Sequence, residues 1–295
     1  MANDDIRGNA LAELLQLMDL KRLGRDEAGR DLFEGARQLT WPSARVFGGQ
    51  VLGQAMMAAS LTVEQDRPVH SMHGYFLRPG DSQVPISFEV ERLRDGRSFS
   101  ARRVLAIQHG RPIAGMSCSF QLPADGYDHA QPMPQVPEPE SLPSTADLIG
   151  HVEHPLAQHY SHERPFDVRH VTEPIYLSAA PEPTSWMAVW MKAVGPMPDR
   201  PLLHRAVLAY ASDYTMLEPI LRRHGLSWTS GQVMASLDHS MWWHRTARVD
   251  EWLLYVLDSP SAQGGRGLGF GRIYTQDGRL VATVAQEGMI RPPRD

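Results

Sequence analysis

Two polar side chains in the last third of the chain, Asp213 and Gln286, fall among apolar neighbours, and these are the residues best placed to do chemistry. Asp213, in Ala211-Ser212-Asp213-Tyr214-Thr215, lies in a run over 202–223 whose spacing predicts one helix. At about 100° per residue, Leu203, Val207, Tyr210, Tyr214, Leu217 and Leu221 mark one face, and Asp213 projects roughly 80° from its centre. Leu202, Ala206, Ala209 and Ile220 surround it, so the aspartate sits inside a wide apolar arc. A carboxylate there is desolvated and needs hydrogen-bond donors or a raised pKa, which is the condition of a general base. Gln286, on a strand of period two, shares its face with Leu280, Ala282, Val284 and Ile290. Its amide needs partners, and parity alone leaves open whether it is a structural amide or part of a site. Ser236 opens the run Ser236-Leu237-Asp238-His239-Ser240-Met241-Trp242-Trp243-His244-Arg245, and read alone it is a surface hydroxyl. Asp238 shares its face and is the rival carboxylate. His239 and His244 titrate near neutrality, but no Gly-x-Ser-x-Gly elbow or Ser-His-Asp set accompanies them, so both are read as structural or interfacial.

Other chemistries lack their residues. No His-Glu-x-x-His occurs, and His70 with His73 has no carboxylates at a ligand spacing, so neither a metal nor a cofactor is expected. The run Gly264-Gly265-Arg266-Gly267-Leu268-Gly269 lies between strands and opens no helix, so it reads as a flexible loop or a bulged strand start, not a phosphate loop. The single cysteine, Cys118, excludes an intramolecular disulfide. With 29 basic against 34 acidic residues the net charge is −5, which calls for no nucleic acid. No leader-like segment opens the chain and no apolar run reaches membrane length, so a cytoplasmic protein with no membrane insertion is expected.

The elements that must position these side chains occur twice. Leucines over residues 9–22 predict an N-terminal helix and Leu32-Phe33-Glu34-Gly35 a strand. Gly48-Gly49 then opens a helix, apolar almost all round, on which Val51, Leu52, Ala55, Met56 and Ala59 form a stripe. Four strand-like runs follow, at 70–77, 86–93, 99–108 and 113–122, each ended by turn residues. One long buried helix and an antiparallel meander able to wrap it make a hot-dog unit. A strand over 186–194, the helix over 202–223 and meander strands over 235–244, 252–257, 268–275 and 280–290 repeat the order. Gln108-His109-Gly110-Arg111 aligns with Gln276-Asp277-Gly278-Arg279, and Leu77-Arg78 with His244-Arg245, at offsets of 168 and 167. A fixed offset over about fifty residues marks a duplication. The expected fold class is therefore α+β, a double hot-dog. Its expected parts are a first unit over 1–122, a proline-rich extended crossover linker over 123–183 that adds an edge strand near 166–176, and a second unit over 184–295.

Several motifs, in this order, resemble the acyl-CoA thioesterase II family. They are Val46-Phe47-Gly48-Gly49-Gln50-Val51-Leu52-Gly53-Gln54-Ala55, His70-Ser71-Met72-His73-Gly74-Tyr75-Phe76-Leu77-Arg78-Pro79-Gly80-Asp81 and Arg94-Asp95-Gly96-Arg97-Ser98-Phe99. Ala211-Ser212-Asp213, Leu237-Asp238-His239-Ser240-Met241-Trp242, Tyr274-Thr275-Gln276-Asp277-Gly278 and Gln286-Glu287-Gly288 complete them. The resemblance implies a double hot-dog enzyme that hydrolyses fatty acyl-CoA to free acid and CoA. It implies a water held and activated by an aspartate, a hydroxyl and a glutamine, which fall on Asp213, Ser236 and Gln286. Gly48, Gly49 and Gln50, at a helix start, are candidates for binding the developing oxyanion. Arg94, Arg97, Arg102, Arg103, Arg266 and Arg272 are candidates for the CoA phosphates, and the methionines with Trp242-Trp243 for an acyl tunnel. A homo-oligomer, dimer or tetramer, is expected of this fold.

Two other readings are a hot-dog hydratase and a non-catalytic acyl-CoA binder. The hydratase would need an aspartate and histidine pair ahead of a helix, which the sequence lacks. Applying the repeat offset carries Ser236 back to Val69 and Gln286 to Cys118. The first copy thus has apolar or weakly polar residues where the second has its hydroxyl and amide, which predicts one active site per chain.

Overall fold

The computed structural model describes residues 2–39 and 43–293. Helix α1 (Ala2–Met18) starts earlier than its leucine pattern and stops earlier too. Lys21–Arg25 is not its last turn but strand β1, an exposed edge paired with β2 (Asp31–Gly35). Electrostatics hold it there: Arg22, Arg25 and Arg92 donate at 2.8, 3.1 and 2.8 Å to the fully buried carboxylate of Asp31, whose pKa they pull down to about 2. Helix α2 (Gly48–Ser60) follows, then β3 (Val69–Phe76), β4 (Ile86–Asp95), β5 (Phe99–Gln108) and β6 (Arg111–Gln121). Nearly every residue of α2 is buried, as its all-round apolar sequence requires, and it lies against β3–β6. Each of its large apolar side chains gains about 1.5–3 kcal/mol from that burial.

The segment over 123–183 is only partly the extended linker that its prolines predict. Beyond Pro143 the proline density falls, and a capping box between Ser144 and Asp147 starts α3 (Thr145–Ile149). Helix α4 (Pro155–Gln158), a π-helical turn over His159–Glu163 and an edge strand, β7 (Phe166–His170), come next.

The second half repeats the first: β8 (Met187–Ala193), α5 (Pro201–Ser212), α6 (Glu218–Arg223), β9 (Val233–Ser236), β10 (Asp238–Trp243), β11 (Leu253–Gln263), β12 (Arg266–Thr275) and β13 (Leu280–Arg291). The strand order is β1-β2-β4-β5-β6-β3-β10-β13-β12-β11-β8-β7, with β9 also on β13, so both halves form one antiparallel sheet. They meet at β3 and β10, where Ser240 pairs with His73, the residue that the offset of 167 makes its own counterpart. A local pseudo-two-fold axis therefore passes between them, and the double hot-dog fold is present.

The single helix predicted over 202–223 is broken. Helix α5 ends at Ser212 with Asp213 as its C-cap, and α6 restarts at Glu218 with Pro219 in its first turn, where the missing N–H breaks no bond of that helix but precludes one continuous ladder through 219. Sheet glycines receive the interruption. Gly267 and Gly269 stand at the start of strand β12 and not in a flexible loop; a Cβ at Gly269 would lie 2.4 Å from the Met216 carbonyl, and one at Gly267 2.8 Å from Ile220. Gly264 and Gly265, both at positive φ, form the tight turn between β11 and β12.

Helices α2 and α5 cross in direct backbone contact: a Cβ at Gly49 would fall 2.2 Å from the Tyr210 carbonyl. Gly49→Ala should force the helices apart, costing about 1–3 kcal/mol. Thermal unfolding should show a fall in Tm for Gly49→Ala and none for Gly126→Ala, where nothing lies within 4 Å of the added methyl.

Candidate active site

The start of α2 lacks a local cap, because Phe47 at its N-cap offers no side-chain acceptor. The Asp213 carboxylate supplies one from the end of α5, accepting the Gly49 N–H. The fit needs a residue without a side chain, since a Cβ at Gly48 would lie 2.6 Å from Asp213 Oδ2. Walled in this way, the carboxyl has its pKa pushed up to about 7 by burial, against the lowering effects of a hydrogen bond from Gln286 and the Gly49 N–H. Asp213 remains partly accessible from one side, a cavity of about 470 Å³.

Gln286 and Ser236 reach the same point through a bulge. Between Ser236 and Ser240 the chain has one residue more than β13 has between its partners Gly288 and Ala285. Leu237 is the extra residue, donating its N–H to Glu287 and accepting from the Phe76 N–H. A bulge reverses the side-chain alternation. Ser236 and His239, three apart, therefore share the inner face with Gln286, whereas Asp238 turns away and accepts the Glu287 N–H at 2.8 Å. That shift corrects the grouping of Ser236 with Asp238, which assumed an unbroken strand. The Gln286 amide donates to Ser236 Oγ at 2.8 Å and to Asp213, and its Oε1 is hydrogen-bonded to His239 Nδ1. His239 Nε2 lies 3.0 Å from Ser212 Oγ. His239 is fully buried, and its contact with Gln286 is not legible in the sequence, where an unbroken alternation would set it on the face opposite Ser236. His244 is exposed and bonds Thr283.

The cavity is lined by Gly48, Val51, Phe76, Tyr214, Leu217, Trp228 and Met234 among others, with Asp213, Ser236 and Gln286 all on its wall. Its volume is that of a small-molecule site. Neither Trp242 nor Trp243 lines it. Of the glycine motif only Gly48 does: the Gly49 N–H is taken by Asp213, and the Gln50 side chain donates to the Ala36 carbonyl and to Gln54. None of the six sequence-selected arginines lines it either. Arg102 is buried against Thr62 and Asp95, Arg103 pairs with Glu91, Arg266 with Glu287, and Arg272 donates to Gln131. Arg94, near the end of β4, and Arg97, in the turn that follows it, are exposed. The cations of the cavity are Arg45, Arg78 and Arg164 instead. Arg164 comes from the segment taken for a linker, buried with its guanidinium 3.9 Å from the ring centre of Tyr160 and 4.6 Å from that of Tyr214.

Comparison with known proteins agrees with this architecture. The family described as acyl-CoA thioesterase matches residues 181–289, and the acyl-CoA thioesterase N-terminal domain matches residues 37–121. The chain is 39% identical to acyl-CoA thioesterase 2 of Haemophilus influenzae, over 96% of this chain and 97% of that one. It is 40% identical to acyl-coenzyme A thioesterase 8 of Homo sapiens, over 97% and 92%. The crystal structure of the acyl-CoA thioesterase II TesB2 from Mycobacterium marinum superposes with a TM-score of 0.78 at 42% identity, covering 95% of this chain and 98% of that one. With a duplicated hot-dog sheet, one polar corner on a cavity and full-length similarity of this order, the chain belongs to the acyl-CoA thioesterase II family.

Proposed function

We propose that this protein hydrolyses acyl-CoA thioesters to free acid and CoA, with Asp213, Ser236 and Gln286 holding and activating the attacking water. The observation that carries the reading is the convergence of the three on one cavity wall, Gln286 bonded to both of the others. Asp213 accepts a proton from the water and the Ser236 hydroxyl fixes its orientation, while the two N–H groups of Gln286 hold Asp213 and Ser236 in place around it. A base whose pKa lies near 7 is matched to this task at neutral pH. The water oxygen bonds to the thioester carbon, and the Gly48 N–H, at the first turn of α2 where helix geometry leaves donors without an intrahelical acceptor, meets the developing oxyanion. Collapse breaks the C–S bond, and the thiolate takes the proton from Asp213. The weakly resonance-stabilised thioester and its good leaving group make a covalent intermediate unnecessary. Arg45 and Arg78, exposed on the cavity wall, are placed to meet the CoA phosphates.

Thiol release from acyl-CoAs of several chain lengths is the primary test; a wild-type protein that binds them and releases none would be a binder. Asp213→Asn should lower kcat by at least about two orders of magnitude with acyl-CoA still bound. The wild-type rate should rise with pH through an apparent pKa near 7. Stability should run the other way. Burial raises the Asp213 pKa above its ordinary value of 3.8, so the folded state loses relative stability as pH rises from near that value to about 7. The Tm advantage of Asp213→Asn over wild type should therefore grow between pH 5 and pH 8. Arg78→Ala should raise KM for acyl-CoA with little change in kcat, and should leave KM for an acyl-pantetheine, which lacks the phosphates, unaltered.

A further inference from the structure

We propose that His239, by donating its Nδ1–H to Gln286 Oε1, is the positioning residue that turns the Gln286 amide so that its NH2 group faces Asp213 and Ser236. The inference rests on the water-activation reading above and extends it to a residue outside the three.

Proton accounting leads there. A neutral imidazole carries one N–H, and burial pulls the His239 pKa down to about 4, so the ring is neutral at working pH. A glutamine amide can be turned either way in the same space. Turned with its carbonyl towards Asp213 it would set oxygen against carboxylate; turned as found, it donates to Asp213 and to Ser236 Oγ at 2.8 Å and leaves Oε1 to be satisfied from behind. The group behind it is His239 Nδ1. The ring must then carry its proton on Nδ1 and accept at Nε2, where Ser212 Oγ lies 3.0 Å away. That hydroxyl also lies 2.9 Å from the Ala209 carbonyl, an alternative acceptor for its hydrogen. Ser212, next to Asp213 in sequence, is thus the outer end of a chain running Ser212, His239, Gln286, Asp213.

The duplication offers an independent argument. An offset of 167 carries Met72 onto His239, and Met72 pairs with Cys118 across β3 and β6 just as His239 stands opposite Gln286. In the first copy the corner is Val69, Met72 and Cys118, all buried and without strong polar groups. In the second it is Ser236, His239 and Gln286. The histidine changes character together with the two residues already placed at the water, which a merely space-filling role would not require.

Titratable and charged neighbours are few. Asp213 faces Gln286 from β13, the Gly49 N–H from α2 and Tyr255 from β11; Tyr255 donates to the Ser212 carbonyl, and burial holds its phenol neutral throughout the working range. His239 faces Ser212 and Gln286. Acyl-CoA hydrolysis by His239→Ala should show kcat reduced about 10- to 100-fold, the effect of misdirecting one charge-assisted hydrogen bond, with KM little changed. Its acid limb should move to higher pH, since Asp213 loses an oriented donor. His239→Asn, which keeps an N–H near the Nδ1 position, should recover most of both. Nitrogen-15 NMR of histidine-labelled wild-type protein should show His239 neutral and protonated on Nδ1, a readout that needs no variant to fold. An Nε2–H tautomer, or a folded His239→Ala protein with unchanged kcat and acid limb, overturns the proposal. Asp213→Asn, assayed in parallel, separates the failures: if it is inactive the water-activation reading stands without His239, and if it is active that reading fails first.

Discussion

The Asp213 carboxyl occupies the point where the start of α2 meets the end of α5, and each helix is altered to let it in. On one side α2 begins with two glycines, one leaving room for the carboxylate and the other for the Tyr210 carbonyl. On the other side α5 stops at Ser212, and β12 gives up the side chains of Gly267 and Gly269 to seat the short helix and the turn that follow. Burial at such a crossing opposes ionisation, while the Gly49 N–H and the Gln286 amide favour it. A carboxylic acid poised between its two states results, which is the property a proton-transferring group needs near neutral pH.

The duplicated sheet explains how neighbouring groups reach that point. Both copies carry the same irregularity: the ladder of β3 with β6 shifts between Val69 and Ser71, and the second copy shifts at Leu237. The bulge is therefore a property of the repeat and not of the site. In the first copy it places Val69 in a dry corner beside Cys118, whose thiol burial pushes up to about 12. At that end of the helix pair Arg205 donates to the Val69 carbonyl. In the second copy the same geometry presents a hydroxyl and an amide to the cavity, with an imidazole buried behind the amide. Divergence of side chains on a shared backbone is thus what makes the two halves unequal.

The proline-rich segment contributes more than a crossing. Its π-helical turn brings Tyr160 and Arg164 to the cavity wall, where a buried guanidinium is held by aromatic faces and the Tyr176 hydroxyl. Buried cations persist only where such partners offset their desolvation. This part of the wall lies outside the repeat, so nothing in the internal comparison of the two copies could have announced it.

The sequence by itself determined the duplication, the buried helix and meander of each half, and the two positions, Asp213 and Gln286, where a polar residue interrupts an apolar pattern. These follow from periodicity and offset, which are local properties of a chain. Only the tertiary structure decided that Ser236 faces Gln286 with His239 and not with Asp238, because one extra residue at Leu237 inverts the alternation, and bulges leave no reliable mark in a period-two pattern. Only the tertiary structure separated the arginines that serve strand-end ion pairs from Arg45, Arg78 and Arg164 at the cavity, because every one of them is equally charged and equally long in the sequence. Asp213 was found by its apolar surroundings although the helix invoked to place it is broken there. Its burial depends on the α2 start lying across it, a contact between residues more than 160 positions apart, and no periodicity spans that distance.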